Sequence, residues 1–299
     1  MKELKFVVAD IGIVIRHSED LSFQGELNSF KNFVTADIDS NLPLIHFELI
    51  EQSFNESKDD FKLLSDISIV WGDNFKFMES ADSYLTIIDE VENKNGKVWK
   101  MESEKTFIQN NIYFNRNNLV GSSALCWLIM VAFGQASLRF NTALIHSSVV
   151  YNEAGAIAFL GKSGTGKSTH SRLWLNHIDT YQLLNDDNPA VKITEGGDAY
   201  IFGTPWSGKT ACYVNKKAKL RAIVRLKQAP FNKFTDMLGK DALMTLLPSF
   251  TALRWNKEIF STMINVIENI ITKVNVGYLE CLPNQDAALT CYEKIKNRN

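Results

Sequence analysis

Cysteine is scarce in this sequence, and the few that occur are scattered. None of the four, Cys126, Cys212, Cys281 and Cys291, belongs to a C-x-x-C pair or stands at a histidine spacing typical of zinc. Isolated cysteines of this kind are typical of reduced thiols in the cytosol. The sequence therefore predicts neither a disulfide framework nor a zinc site, and it favours a cytoplasmic protein.

An excess of charge of one sign is also missing. The formal net charge is −2 at pH 7, 22% of the residues are charged, and no block of like charges occurs. A protein that binds the phosphate backbone of nucleic acid needs clustered lysine and arginine. DNA and RNA are therefore not expected partners.

Long hydrophobic runs are absent as well. The longest, "ALCWLIMVAFG" from Ala124, is too short to cross a bilayer. We expect it to form a buried helix, capped by Ser122 or Ser123, that covers the sheet of the second half. The N-terminus has an early charge at Asp10 and no small-residue cleavage site, so it is not expected to be a signal peptide, and no membrane partner is predicted.

The first 115 residues consist of short segments rich in β-branched and aromatic residues, separated by Asn, Asp, Gly and Ser. The stretch "ENKNGKV" has turn chemistry that suits a hairpin. This pattern predicts a mostly antiparallel β domain over residues 1–115. Since it contains no motif with recognisable chemistry, two interpretations remain open: it presents a substrate, or it supports a homo-oligomer.

Residues 116–299 begin with the expected buried helix and continue with strand-like apolar segments on both sides of a glycine-rich loop. After Pro230, "DMLGKDALMTLLPSF" and "KEIFSTMINVIENIITKVN" carry apolar residues at helical spacing. We therefore predict an α/β (α+β) chain in which a second domain, with C-terminal helices, follows the β-rich domain.

A glycine-rich loop lies at the centre of the chain. Gly161, Gly166, Lys167 and Ser168 complete the pattern G-x-x-x-x-G-K-[ST] between the strand-like "AIAFL" and a helical segment. Glycines let consecutive N–H groups curl around phosphates, while Lys167 neutralises their charge and Ser168 ligates Mg²⁺. The predicted nucleotide-binding residues are Gly161, Ser163, Gly164, Thr165, Gly166, Lys167, Ser168 and Thr169.

Two adjacent carboxylates follow the loop. In "LLNDDNPA" an apolar segment runs directly into Asp186 and Asp187. At the carboxyl end of a strand, one of them can hold Mg²⁺ and the other can take a proton from an acceptor hydroxyl. The alternative is a solvated turn, because Asp-Asp-Asn-Pro is also ordinary turn chemistry.

The segment "GTPWSGK" offers an aromatic residue and a cation. If its turn exposes Trp206 and Lys209, they line the acceptor side of the site; the alternative is a structural turn that packs around Trp206. His146, in the apolar segment "ALIHSSVV", is by itself more typical of a structural histidine.

The blocks "LIHSS", "GKSGTGKST" and "LLNDD", in this order and spacing, resemble the catalytic domain of HPr kinase/phosphorylase, whose core fold is shared with ATP-dependent phosphoenolpyruvate carboxykinase. The resemblance covers roughly residues 140–230. It implies that Lys167 contacts the phosphates, that Ser168 and Asp187 hold Mg²⁺, that Asp186 is the general base, and that His146 orients or tunes Asp186.

The resemblance also implies a reaction. ATP would donate a phosphate to a hydroxyl, namely a serine of a protein, a peptide or the free amino acid, as in the HPr-kinase-like proteins of bacteria. The Arg-Gly-rich strand that follows the aspartates in HPr kinases is absent here, where "GTPWSGK" stands, so HPr is not the expected acceptor. Two alternatives remain: a nucleotide-binding switch without phosphate transfer, and a carboxykinase-like enzyme of small molecules.

Overall fold

The computed structural model describes residues 1–23, 25–52, 61–65, 69–70, 73–89, 98–119, 122–208 and 210–296. Its chain divides into two compact units, Met1–Ala136 and Ser137–Asn299. The division falls later than the boundary expected near residue 115, because helix α1 (Ala124–Ala136) contacts a strand of the first unit.

The first unit is built on one sheet, whose strands pair in the order β1-β2-β3-β9-β8-β7-β6-β4, with β5 on β6. Two neighbouring pairs, β2 with β3 and β3 with β9, are parallel and the others are antiparallel. The mostly antiparallel β unit predicted from the sequence is therefore confirmed. Its strands are β1 (Lys2–Val8), β2 (Ile11–His17), β3 (Leu44–Glu51), β4 (Lys62–Ser65), β5 (Ile69–Val70), β6 (Asp73–Glu79), β7 (Ser83–Asp89), β8 (Val98–Glu104) and β9 (Gln109–Phe114).

The predicted hairpin turn "ENKNGKV" lies outside the described residues, although the strands that flank it, β7 and β8, pair antiparallel. Alternate residues of these strands are buried, as expected for a sheet with one covered face. Trp99 stacks on Phe114 of the adjacent strand, with ring centroids 5.3 Å apart. Both side chains are fully buried, so aromatic residues form part of the core of this unit.

Helix α1 contacts β8 of the first unit, so the expectation that it covers the sheet of the second half is wrong. It is apolar almost all round, and such a helix has no stripe of residues that indicates which sheet it packs on. The helix begins at Ala124, directly after Ser123, which is one of the two predicted caps. Within the described ranges, no helix is long and apolar enough to span a membrane.

The second unit mixes strands and helices, which confirms the α/β class. Its strands are β10 (Thr142–Leu144), β11 (Ser147–Asn152), β12 (Gly155–Leu160), β13 (Gln182–Asp187), β14 (Ala190–Ile193), β15 (Ala199–Phe202), β16 (Lys217–Gln228), β17 (Lys233–Met237) and β18 (Asn275–Cys281). Its helices are α2 (Lys167–His177), α3 (Gly239–Leu246), α4 (Lys257–Lys273) and α5 (Gln285–Ile295). The predicted C-terminal helices correspond to α3 and α4.

Two hydrophobic clusters build the core of the second unit. One contains Met263, Val266 and Ile270 of α4, and the other contains Trp174 of α2 and Cys291 of α5. Each cluster also includes side chains of the central strands, so helices pack on the sheet in two separate groups.

The order of the strands positions the site. Strand β12 pairs with β16 in parallel and β16 with β18 in parallel, while β11 lies antiparallel between β12 and β13. Strands β12, β13, β16 and β18 therefore run in one direction, and their carboxyl ends meet at one edge. This edge is where ligands bind in α/β sheets.

Candidate active site

The glycine loop leaves β12 and leads directly into α2, which confirms the strand, loop and helix context predicted from the motif. Gly164 and Gly166 have φ values of 79° and 104°, which glycine adopts without strain. The backbone N–H and hydroxyl of Thr165 both donate to the carbonyl of Lys162, at 3.1 and 2.6 Å. This tight loop brings N–H groups to a helix N-terminus, an arrangement that suits bound phosphate.

The side chain of Lys167 turns back over the loop. Its Nζ donates to the carbonyl of Gly161 at 3.1 Å and lies 2.9 Å from Nε2 of His146. Burial lowers the pKa of Lys167 from its usual value, and the charges of Asp187 and Asp186 oppose that shift. An ammonium group can only donate, so Nε2 of His146 accepts and the proton of the neutral imidazole is on Nδ1.

That proton points at the second aspartate. Nδ1 of His146 lies 2.9 Å from Oδ1 of Asp187, while the amide of Asn188 donates to Oδ2 at 2.8 Å. Asp187 is only 9% exposed. A chain of hydrogen-bonding groups thus runs from Lys167 through His146 to a carboxylate that is held at both oxygens.

The first aspartate contacts the loop instead. The hydroxyl of Ser168 donates to Oδ1 of Asp186 at 2.9 Å, and Asp186 is 8% exposed. A hydroxyl and a carboxylate oxygen side by side are the donors that Mg²⁺ prefers, with phosphate and water completing its shell. The residues therefore fit a magnesium ion. Among the described residues, no group of three or more His, Cys, Asp or Glu side chains could hold a metal ion by itself. Phosphate and water would therefore have to supply the remaining ligands of the magnesium ion.

These contacts reverse the pairing that the resemblance implies. His146 was expected beside Asp186 but lies against Asp187. Ser168 was expected to bind the same magnesium ion as Asp187, but its hydroxyl donates to Asp186. Consecutive residues of a strand point to opposite faces, so the two carboxylates meet different partners. The alternative of a solvated turn is also wrong, because both aspartates are buried in strand β13.

Of the two interpretations of the turn around Trp206, the exposed aromatic is wrong and the structural turn is confirmed. The side chain of Trp206 is 1% exposed, and its carbonyl accepts from the backbone N–H of Asn188 at 3.3 Å. The hydroxyl of Thr204 donates to the carbonyl of Asn188 at 2.7 Å, and the N–H of Gly208 donates to the carbonyl of Asp186 at 3.0 Å. The segment "GTPWS" is thus a structural turn packed around Trp206 and braced against the aspartates. Lys209, the predicted cation, lies outside the described residues.

Sequence reasoning missed Arg225. It lies on β16, and its guanidinium donates to the carbonyl of Thr245 and, at 2.8 Å, to the hydroxyl of Ser249. The carbonyl of Ser249 in turn accepts from the backbone N–H of His146 at 2.7 Å. The only signal in the sequence is a charged residue within the apolar run "AIVRL". In the folded protein, burial lowers the pKa of Arg225. Arg225 therefore braces the backbone that holds His146, and its charge also lowers the pKa of Lys167.

A pocket with a volume of about 630 Å³ adjoins the loop on the side away from β13. Loop residues 164–166 form one wall, and the ends of β16 and β18 form another. The sequence pattern does not indicate this pocket, because its walls come from segments more than fifty residues apart along the chain.

Comparison with known proteins finds only a distant structural similarity. No protein-family model matches the chain, and no curated protein matches it significantly. Among solved structures, the HPr(Ser) kinase/phosphatase from Coxiella burnetii matches with 14% identity and a TM-score of 0.30, over 52% of this chain and 94% of that one. The likeness is a distant structural relationship, and no family is assigned from it.

Proposed function

We propose that this protein is a magnesium-dependent kinase that transfers the γ-phosphoryl group of ATP to a hydroxyl, that of a serine in a protein, in a peptide or in the free amino acid. The observation that carries the proposal is the pair of separately bonded, buried carboxylates next to the glycine loop. One of them contacts the loop serine and the other contacts a histidine.

The contacts suggest a division of roles. Loop N–H groups and Lys167 hold the phosphates, while Ser168 and Asp186 hold Mg²⁺, which neutralises charge on the phosphate oxygens when bound. Asp187, oriented by His146, takes the proton of the acceptor hydroxyl. The acceptor oxygen forms a bond to the γ-phosphorus, the bond between that phosphorus and its bridging oxygen breaks, and ADP leaves.

Catalysis of this kind depends on positioning and on charge more than on covalent chemistry. Asp187 is bonded at both carboxylate oxygens, which restricts its orientation before a substrate arrives. A base held in this way supports a defined line of approach for an alcohol. His146 is a positioning residue in this scheme, because it acts through Asp187 and Lys167.

A nucleotide-binding switch that transfers no phosphate is a less economical interpretation. Such a protein needs a loop lysine, a loop hydroxyl and one carboxylate for the metal. A second buried carboxylate, bonded to histidine and asparagine side chains, is not among the groups that such a protein requires to bind the phosphates and the metal. Burial of that charge is costly unless function or pairing compensates it.

The proposal is tested by following the label from [γ-³²P]ATP with Mg²⁺ and three acceptor sources: free serine, short serine peptides and a lysate of the host cell. We expect phosphoserine to form, and Asp187→Asn to lower its rate about 10²- to 10⁴-fold, the usual contribution of a positioned base. Asp82→Asn, at an exposed turn of the first unit, is the matched control and should retain the wild-type rate.

Binding of ATP without phosphoserine formation from any source would overturn the kinase proposal in favour of the switch. Transfer that is equally fast in Asp187→Asn and in the control would retain the kinase and remove Asp187 as its base.

A further inference from the structure

We infer that the pocket between α2 and the carboxyl ends of β16 and β18 holds the nucleoside of the bound triphosphate, with His170 and Gln228 contacting its polar edge. This inference rests on the proposed function in one respect, namely that the glycine loop binds the phosphates. Neither the loop motif nor the resemblance assigns any residue to the nucleoside.

Topology sets the direction in which a nucleotide can lie. The loop follows β12, which has β11 and then β13 on one side and β16 and then β18 on the other. The aspartates end β13, so the reacting γ-phosphate belongs on that side. The rest of the nucleotide must then extend across the loop toward the ends of β16 and β18, where the pocket opens.

The walls of the pocket suit a flat, mostly apolar group. Leu173 of α2, Leu226 of β16, Pro230, Leu282 and Pro283 contribute apolar surface, and Gly164 to Gly166 of the phosphate loop border it directly. Small-molecule sites are typically apolar clefts with a few placed polar groups. The pocket matches that description, and its volume of about 630 Å³ lies within the usual range for such sites.

His170 is the buried polar group of the pocket. It is 3% exposed and lines the pocket one turn into α2. Its Nε2 accepts from the indole N–H of Trp174 at 3.2 Å, so the proton of the imidazole is on Nδ1. An imidazole that accepts at Nε2 and carries its proton on Nδ1 is an uncharged donor, which suits a neutral base better than a phosphate.

Gln228 supplies the second polar contact. It ends β16, it is exposed, and its amide nitrogen donates to the carbonyl of Gly164 at 3.4 Å. That long hydrogen bond is easily exchanged for one to a ligand. Its amide offers both a donor and an acceptor, the combination that the edge of a nucleobase presents. The side chain thus joins the phosphate loop to the place proposed for the base.

The test compares ATP with Mg-tripolyphosphate, which has the same phosphates and no nucleoside. Affinities are measured by calorimetry for the full chain and for Leu282→Trp, which fills the mouth of the pocket, and Gln228→Leu, which removes the polar group. Leu289→Trp is the matched control, because Leu289 is 36% exposed, as against 38% for Leu282, and does not line the pocket. Lys167→Ala reports on the phosphate site itself.

We expect Leu282→Trp to weaken ATP binding at least about tenfold, a loss of one log unit in Kd, and Gln228→Leu to weaken it several-fold. Tripolyphosphate affinity should stay within about twofold of the wild type in both, and Leu289→Trp should bind both ligands normally. A second measurement, photolabelling of the wild type with 8-azido-ATP, should place the label on peptides containing residues 226–230 or 281–283.

Unchanged ATP affinity in both pocket variants, or label found only on other segments, would overturn this inference while Lys167→Ala still abolished ATP binding and the proposed function stood. Equal weakening of ATP and tripolyphosphate would also overturn it, because the variants would then act on the loop. ATP binding that is absent, or that does not depend on Lys167, would instead remove the proposed function.

Discussion

The two sides of the glycine loop differ sharply in chemistry. Toward β13 the loop faces two buried carboxylates, Asp186 and Asp187, and the imidazole of His146. Toward β16 and β18 it faces leucine and proline side chains, with only the uncharged His170 and Gln228 as polar side chains that we assign to a ligand. Fixed charge is concentrated where a phosphoryl group would react, and apolar surface where a ligand would be held.

The two sides are also supported differently. Hydrogen bonds between residues 204–208 and the backbone of Asp186 and Asn188 brace the strand end that carries the carboxylates, and the carbonyl of Ser249 accepts from the backbone N–H of His146. The other side depends on aromatic packing: Trp174 contacts both Phe159 and Tyr292, with centroids 5.4 and 5.8 Å apart. Hydrogen bonds, which are directional, thus stabilise the carboxylate side of the loop. Burial of apolar surface, which has no preferred direction, stabilises the pocket side.

The largest expected effect separates the two carboxylates. Asp186→Asn should lower activity about 10²-fold or more and raise the Mg²⁺ concentration needed for half-maximal rate, because it weakens a metal ligand. Asp187→Asn should lower the rate at least as much with the Mg²⁺ dependence of the wild type. Magnesium titrations of initial rate for the two variants measure this difference.

The opposite result, a raised Mg²⁺ requirement in Asp187→Asn alone, would return the two residues to the roles implied by the resemblance. It would also mean that the contacts with Ser168 and His146 rearrange when substrate binds.

A smaller effect concerns the support of the carboxylate side. Trp206→Ala removes a side chain that is 1% exposed and should lower the free energy of unfolding by about 3–5 kcal/mol. Trp255→Ala, at a tryptophan that is 46% exposed, should cost much less. Urea denaturation of both variants measures the difference. Equal losses would show that burial of Trp206 does not stabilise the turn beside the aspartates.

The smallest effect concerns the pocket side and depends on pH. Since burial lowers the pKa of His170 from 6.5 to about 4, the folded state resists a proton that the unfolded state accepts between these values. Stability is therefore highest above pH 6.5 and falls as the pH drops toward 4, by up to about 3 kcal/mol. His170→Phe should flatten this part of the pH profile of the free energy of unfolding.

His177→Phe, at an exposed histidine of the same helix, should keep the slope of the wild type. The slope is the relevant quantity, because His170→Phe also removes the acceptor of the Trp174 indole and lowers stability at every pH. An unchanged slope in His170→Phe would contradict a buried His170 that resists protonation in the folded state.

Local patterns determined much of this molecule. In the first 115 residues, segments rich in β-branched and aromatic residues, with turn residues between them, predicted a mostly antiparallel sheet, because such side chains fit a pleated, half-buried surface. The spacing of Gly161, Gly166, Lys167 and Ser168 located the tight loop between β12 and α2, because a loop that can curl around an anion needs glycine at specific positions. The helices after Pro230 followed from apolar residues at helical spacing.

The tertiary structure alone decided which side chains of the site contact each other. Strand β11 pairs Ser147 with Asp187 and Ser148 with Asp186, and the register shifts between Val149 and Val150. A slip of one residue turns each side chain to the other face, so this register determines which aspartate meets Ser168 and which meets His146. The burial of Trp206, the sheet on which α1 packs and the walls of the pocket have the same origin. They depend on contacts between segments far apart in the chain, and no local pattern of residues records such contacts.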